Sequence, residues 1–168
     1  ISDAGELVQA IEAINGGGEP AEAYYQLDAD ISLDGESVPS IESFSGTLDG
    51  AGHAIDGYTL SGDRETDALV RENHGTIRAL ALTDVEVTGP NTAETSRRAG
   101  LCFQNHGTIE ECYVTGSVSG GHRSGGIVAE NYDTIQNCYF VGNVTGRCES
   151  GGITAWCQNT AKVLNCYV

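Results

Sequence analysis

The residues of this sequence most able to bind a metal or carry out catalysis are its histidines, cysteines and clustered acids. His74 and His106 occupy equivalent places in two similar segments, Asn-His-Gly-Thr-Ile at 73–77 and at 105–109. If those turns are adjacent, the two imidazoles could stack and offer two ligands to a tetrahedral ion. The third equivalent position is Tyr132, a poor zinc ligand. No His-Glu-x-x-His sequence is present to mark a zinc peptidase centre. Both histidines are therefore expected to be exposed turn residues. Asp49, Asp56, Asp63, Glu65 and Asp67 fall in one loop-rich region, where clustered oxygens could bind calcium. Neither an EF-hand nor a nonapeptide calcium repeat accompanies them, so solvated charge is the plainer reading and no cofactor is expected. Polysaccharide-cleaving enzymes use paired acids. Here the acids do not recur in register, and no catalytic residue is predicted.

Cys102, Cys112, Cys138, Cys148, Cys157 and Cys166 all lie in the C-terminal half. An even count in an extracellular chain permits disulfides, and the lack of any Cys-x-x-Cys pair argues against a zinc knuckle or a thioredoxin-type motif. Cys148 and Cys157 flank Gly151-Gly152 and are the pair placed for a bridge. Two further sets recur. Asn73, Asn105 and Asn131 share a turn position, where asparagine tolerates a left-handed backbone and stacked amides can form a hydrogen-bonded ladder. Tyr113, Tyr139 and Tyr167 each follow a cysteine, so they should point outward if the cysteines point inward. An outward tyrosine row could meet sugar rings, which makes it the best candidate ligand face.

These positions recur because the chain repeats. Segments 68–77, 100–109 and 126–135 align, with a looser counterpart at 152–156, at offsets of 32, 26 and 26 to 28 residues. Each holds two or three apolar runs of strand length, punctuated by Gly, Asn and Asp, too short for paired helices. Such a unit cannot bury its inner face alone and must stack on its neighbours. Stacking in register sets like residues about 4.8 Å apart and yields a coil of parallel strands. Ile77, Ile109, Ile135 and Val163 then form one apolar column, and Leu82, Val114, Phe140 and Val168 another. Leu80, Cys112, Cys138 and Cys166 form a third, in which the leucine argues that the thiols serve as small core hydrophobes. The first and third columns are three residues apart, so a bend must separate them if both face inward.

The predicted fold is all-β: a right-handed parallel β-helix, or solenoid, with a short N-terminal capping helix. Residues 1–168 form one domain, divided into a capping helix at 1–17, irregular first turns at 18–66 and repeats at 67–168. Ser2 or Asp3 can cap the helix with Glu6 closing an Asp-x-x-Glu box. Leu7, Ile11 and Ile14 follow at helical spacing, and the element ends at Gly16-Gly17. Such a helix would hide the unpaired edges of the first rung. Segments 24–33, 46–48 and 54–60 are expected strands.

Charge narrows the partners. Twenty-four acids against eight bases give a net charge of -16, and Lys162 is the sole lysine. This surface repels phosphate backbones and anionic lipid, which argues against nucleic acid and the membrane surface. It suits high-salt solvent or simply a soluble exterior. No apolar span reaches membrane-crossing length. A start at Ile1 and the absence of methionine suggest a processed or excised piece.

The run Gly-Gly-Ile-Val-Ala-Glu-Asn-Tyr-Asp-Thr-Ile-Gln-Asn-Cys-Tyr-Phe-Val-Gly-Asn-Val-Thr-Gly at 125–146 resembles the GLUG repeat of bacterial and archaeal surface proteins. Upstream, Phe-Ser-Gly-Thr-Leu-Asp-Gly-Ala-Gly-His-Ala-Ile-Asp-Gly at 44–57 is similar to the segment that commonly precedes such repeats. The resemblance implies a β-helix of adhesin-like proteins, some of which carry the module beside a separate peptidase domain. It carries over no catalytic residue. In the last repeat, Trp156-Cys157-Gln158 departs from the pattern. The expected function is a noncatalytic structural or adhesive module, secreted or at the cell surface, touching a glycan or protein. A self-assembling filament subunit joined end to end with copies of itself is one alternative. A polysaccharide-active enzyme is another.

Overall fold

The computed structural model describes residues 1–17, 22–61, 66–89 and 96–168, with backbone alone at Thr66 and Asp67. It is a right-handed parallel β-helix of about five turns with one N-terminal helix. Three sheets run along the coil axis. The first stacks Tyr24–Gln26, Thr47–Asp49, Thr76–Arg78, Thr108–Glu110, Thr134–Gln136 and Lys162–Leu164 in chain order. Another stacks Ile41–Phe44, Val70–Asn73, Cys102–Asn105, Val128–Asn131 and Thr154–Cys157. The remaining sheet is built around the long strands Ala81–Thr88, Tyr113–Gly125 and Tyr139–Gly151. Pairing is parallel between successive coils, as between Ile109 and its neighbours Ile77 and Ile135.

Apolar columns fill the interior. Leu48, Ile77, Ile109 and Ile135 lie one above another and are buried, with Val163 continuing the register. Ile31, Ile55, Leu82, Val114 and Phe140 form the matching column of the second wall. Each such side chain contributes about 2 kcal/mol relative to exposure. The bend between the Ile and Cys columns is made by one residue per coil in the left-handed region: Ala79 (φ 48°), Glu111 (φ 56°), Asn137 (φ 54°) and Asn165 (φ 52°). Left-handed tolerance therefore belongs to Asn137 and Asn165. Asn73, Asn105 and Asn131 sit at strand ends outside that region, which corrects the turn role expected of them.

Leu80, Cys112 and Cys138 are buried and Cys166 half-buried, as expected of small core hydrophobes. Cys102 joins an equivalent column between Val70 and Val128. All six thiols are free. The bridge expected between Cys148 and Cys157 is not formed: both are exposed, one within the long strand Tyr139–Gly151 and the other at the end of Thr154–Cys157.

The helix spans Ala4–Asn15. Asp3 accepts from the Glu6 amide at 2.8 Å, one half of a capping box, while the Glu6 carboxylate reaches one residue past the cap and accepts from the Ser2 amide at 2.8 Å. Leu7, Ile11 and Ile14 are buried against the first coil. Asn15 covers the sheet edge directly, donating to the Ser40 carbonyl at 2.8 Å and accepting from the Glu42 amide at 2.9 Å. These are backbone groups that an edge strand would otherwise leave open. The segment expected to form irregular first turns joins all three sheets in register through Tyr24–Gln26, Ile41–Phe44, Thr47–Asp49 and Ala54–Asp56. Sequence reasoning missed Ile41–Phe44, whose two middle residues, Glu42 and Ser43, are polar and exposed.

Candidate functional site

Stacking turns each recurring residue into a ladder, and the ladders have different exposures. Asn73 Nδ2 donates to Asn105 Oδ1, and Asn105 Nδ2 to Asn131 Oδ1, each at 2.8 Å with all three side chains buried. Each amide also binds the backbone two residues on, at Gly75, Gly107 and Asp133. This ladder is internal and unreachable by a ligand.

His74 and His106 stack with ring centroids 5.0 Å apart, and His106 stacks on Tyr132 at 4.3 Å. Burial, and then the neighbouring His74, hold the His106 imidazole below its ordinary value. Among the described residues, no three His, Cys, Asp or Glu side chains converge as metal ligands. Of the acids considered for calcium, Asp63, Glu65 and the side chain of Asp67 lie outside the described residues. Asp49 accepts from Tyr24 at 2.6 Å and pairs with Arg78 at 2.8 Å, and Asp56 accepts from Thr83. The Tyr24 hydrogen bond is the main reason the Asp49 carboxyl lies below the usual carboxylate range.

The tyrosine row lies on the outer surface. Tyr113 and Tyr139 stack at 4.8 Å, and Tyr139 and Tyr167 at 5.0 Å, with interplanar angles of 5° and 8°. Rings so spaced cover one another's faces, so along most of its length the row presents ring edges and hydroxyls. Partial burial, followed by the flanking Tyr113 and Tyr167, pushes the Tyr139 phenol up.

Beside this row the long strands bend inward. In the strand Ala81–Thr88 the bend is a β-bulge: Leu82 faces Val114 and Val85 faces Gly116, leaving Thr83 and Asp84 opposite Thr115 alone. Asp84 takes φ 50° at the bulge. In the next two coils Gly116 (φ 134°) and Gly142 (φ 152°) make the same bend. A Cβ at Gly142 would stand 1.8 Å from the Gly116 carbonyl oxygen, so no side chain fits the floor. The outcome is an open groove of about 580 Å³ running across three coils, lined by Asp84, Val85, Glu86, Gly116, Ser117, Gly142 and Asn143. Glu86, Ser117 and Asn143 share one register and form one wall. Val141, 56 % exposed and paired with Thr115, lies between the groove and Tyr139. Sequence reasoning found the tyrosines but not the groove; the only signal was a glycine at equivalent places in two coils, displaced from Val85 by the bulge.

A second cluster was also missed. Glu130, 3 % exposed, is held by Arg97 and Arg123 at 2.5 Å, Gln104 at 2.9 Å and Tyr132 at 3.1 Å. Arg123 also pairs with Glu149 and lies 5.4 Å from the Trp156 ring centre. Trp156, which departs from the repeat, is stacked in register above Glu130. With every member engaged, this cluster ties two sheets together.

The GLUG motif matches residues 120–145, one full coil running from the second half of Tyr113–Gly125 into Tyr139–Gly151. No curated protein matches the chain. Among solved structures, a Bacteroides ovatus protein named as a candidate immunoglobulin A1 protease is similar, with a TM-score of 0.78 and 20% sequence identity. The match covers 99% of this chain and 55% of that one, so this chain spans about half of the other's length. At that identity the likeness concerns the fold, which is a parallel β-helix in both.

Proposed function

We propose that this chain, a parallel β-helix carrying the GLUG motif, is a noncatalytic extracellular module that binds a glycan along one lateral face. One observation carries the reading: an outward tyrosine ladder lies beside a polar groove that crosses three coils. Stacking repeats hydroxyl and amide groups at about 4.8 Å along the axis, and a polymer of similar units can meet such a row in several places at once. The two carboxylates of the groove, Asp84 and Glu86, both come from the strand Ala81–Thr88, with no acid among the lining residues facing them from the neighbouring coils, an arrangement that favours recognition over cleavage. The neighbour's protease name belongs to a longer protein and does not extend to this chain.

Binding to a glycan array tests the reading. Wild-type protein is expected to bind at least one polysaccharide, and Tyr113→Ala with Tyr139→Ala to weaken that binding by about tenfold, equivalent to about 1.4 kcal/mol. Unchanged binding by the double variant rejects this face. New reducing or unsaturated ends after incubation with the bound polysaccharide and calcium would overturn the noncatalytic assignment.

A further inference from the structure

We infer that the groove over Gly116 and Gly142 selects an amine-bearing polysaccharide and rejects polyanionic ones, with Asp84 and Glu86 as the selecting residues. This rests on the glycan-binding reading and specifies its ligand.

The charge of the lining is one-sided. Asp84 and Glu86 are the only ionisable residues in it, and neither carboxylate forms an ion pair among the described residues. Both are exposed at the rim. The other carboxylates singled out by burial are neutralised: Asp49 by Arg78, and Glu130 by Arg97 and Arg123. Asp84 and Glu86 thus lack a counter-charge in this concavity beside the tyrosine row. A cationic ligand supplies it, whereas uronate or sulfate groups would be repelled.

The remaining lining fits a sugar chain. Ser117 and Asn143 offer a hydroxyl and an amide to hydroxyl or acetamido groups, while exposed Val141 offers an apolar surface to ring C–H groups. The floor is backbone, because Gly116 and Gly142 exclude side chains. Lining residues come from three consecutive coils, so the groove extends about 10 Å along the axis at strand spacing, enough for more than one sugar ring. Gly116, at the centre of the groove, pairs with Val85 on one side and Gly142 on the other, while Gly142 and Asn143 lie on the edge strand Tyr139–Gly151.

Binding of partially deacetylated chitin, fully acetylated chitin oligomers and polygalacturonate at about 0.15 M salt tests this, a salt level at which long-range attraction is screened beyond roughly 8 Å. The folded variants are Asp84→Asn with Glu86→Gln, and a charge-matched control, Glu12→Gln with Glu36→Gln, at exposed sites elsewhere. The wild type is expected to prefer the deacetylated polymer and to show no binding to polygalacturonate. The groove variant should lose about tenfold in affinity for the deacetylated polymer and the control less than about twofold. Equal losses in the two variants, or a wild-type preference for polygalacturonate, would overturn the inference while leaving a glycan-binding module standing. Absence of binding to any polysaccharide would overturn both.

Discussion

Asn105 donates from Nδ2 to Oδ1 of Asn131 at 2.8 Å, and both side chains are completely buried. The same atom reaches the carbonyls of Gly107 and Thr134 at 3.1 Å, while Oδ1 accepts from Asn73 at 2.8 Å. One side chain therefore satisfies polar groups in three successive coils. Removing it strands buried donors and acceptors above and below. Asn105→Ala is expected to lower unfolding stability by about 3 kcal/mol, since each unsatisfied buried polar group costs about 1–3 kcal/mol. Asn105→Asp sets an acceptor against the Asn131 acceptor and should be at least as damaging near neutral pH. Urea denaturation of the variants measures both; midpoints within error of the wild type would show that the ladder contributes no net stability.

The six thiols divide by position. Cys148 and Cys157 are exposed, Cys166 is half-buried, and Cys102, Cys112 and Cys138 are inside the coil. Burial pushes the Cys102 and Cys112 thiols well up, which removes the reactive thiolate. A thiol-specific reagent such as dithiobis-nitrobenzoate should thus modify Cys148 and Cys157 rapidly in native protein and Cys166 slowly. The three interior thiols should react only after denaturant is added. Peptide mapping of the modified sites checks the order; fast labelling of Cys112 or Cys138 would contradict the inward column.

What could be read from the sequence follows from stacking. Equivalent residues in successive coils meet the same surroundings, so the Ile, Cys and Asn positions repeat in type, and alignment finds them. Residues that bend the coil are under a weaker constraint. Ala79, Glu111, Asn137 and Asn165 share one left-handed conformation but little chemistry, and alignment gives no reason to single them out. The groove is harder still, because it is made of missing side chains at Gly116 and Gly142 and of an extra residue in the first of the three strands. The Glu130 cluster draws Arg97 from a joint between repeats, where alignment breaks down, and its Trp156 neighbour looks like an irregularity in one dimension.

Gly142 gives the groove floor its own test. Its φ is 152°, and an alanine Cβ there would lie 1.8 Å from the Gly116 carbonyl oxygen. Gly142→Ala must therefore shift the strand Tyr139–Gly151 away from its neighbour. Gly52 makes the control: its φ is 86°, yet no atom lies within 4 Å of its Cβ direction. Gly52→Ala should cost only the left-handed penalty of about 1–2 kcal/mol. Gly142→Ala adds a backbone clash and should be the more destabilised by thermal denaturation. Equal losses would mean that the strands relax freely and that glycine is not needed to form the floor.

Glu130 makes stability depend on acidity in a defined window. Burial alone would raise its carboxyl, but hydrogen bonds from Gln104, Arg123 and Arg97 outweigh it and hold the group below the ordinary 4.5. With a lower value folded than unfolded, the native state binds fewer protons, so the contribution is full above about pH 4.5 and is lost as pH falls through the folded value. Glu130→Gln keeps the shape but leaves Arg97 and Arg123 without their shared counter-charge. At neutral pH the variant should be less stable by roughly 2 kcal/mol, the usual size for hydrogen bonds to a charged group. Unlike the wild type, it has no carboxylate at this position to protonate, so the gap between the two should narrow steadily below about pH 4.5. Paired urea unfolding curves at several pH values between neutral and strongly acidic measure that gap. A gap that stays constant across the range would show that the two arginines do not depend on the Glu130 charge.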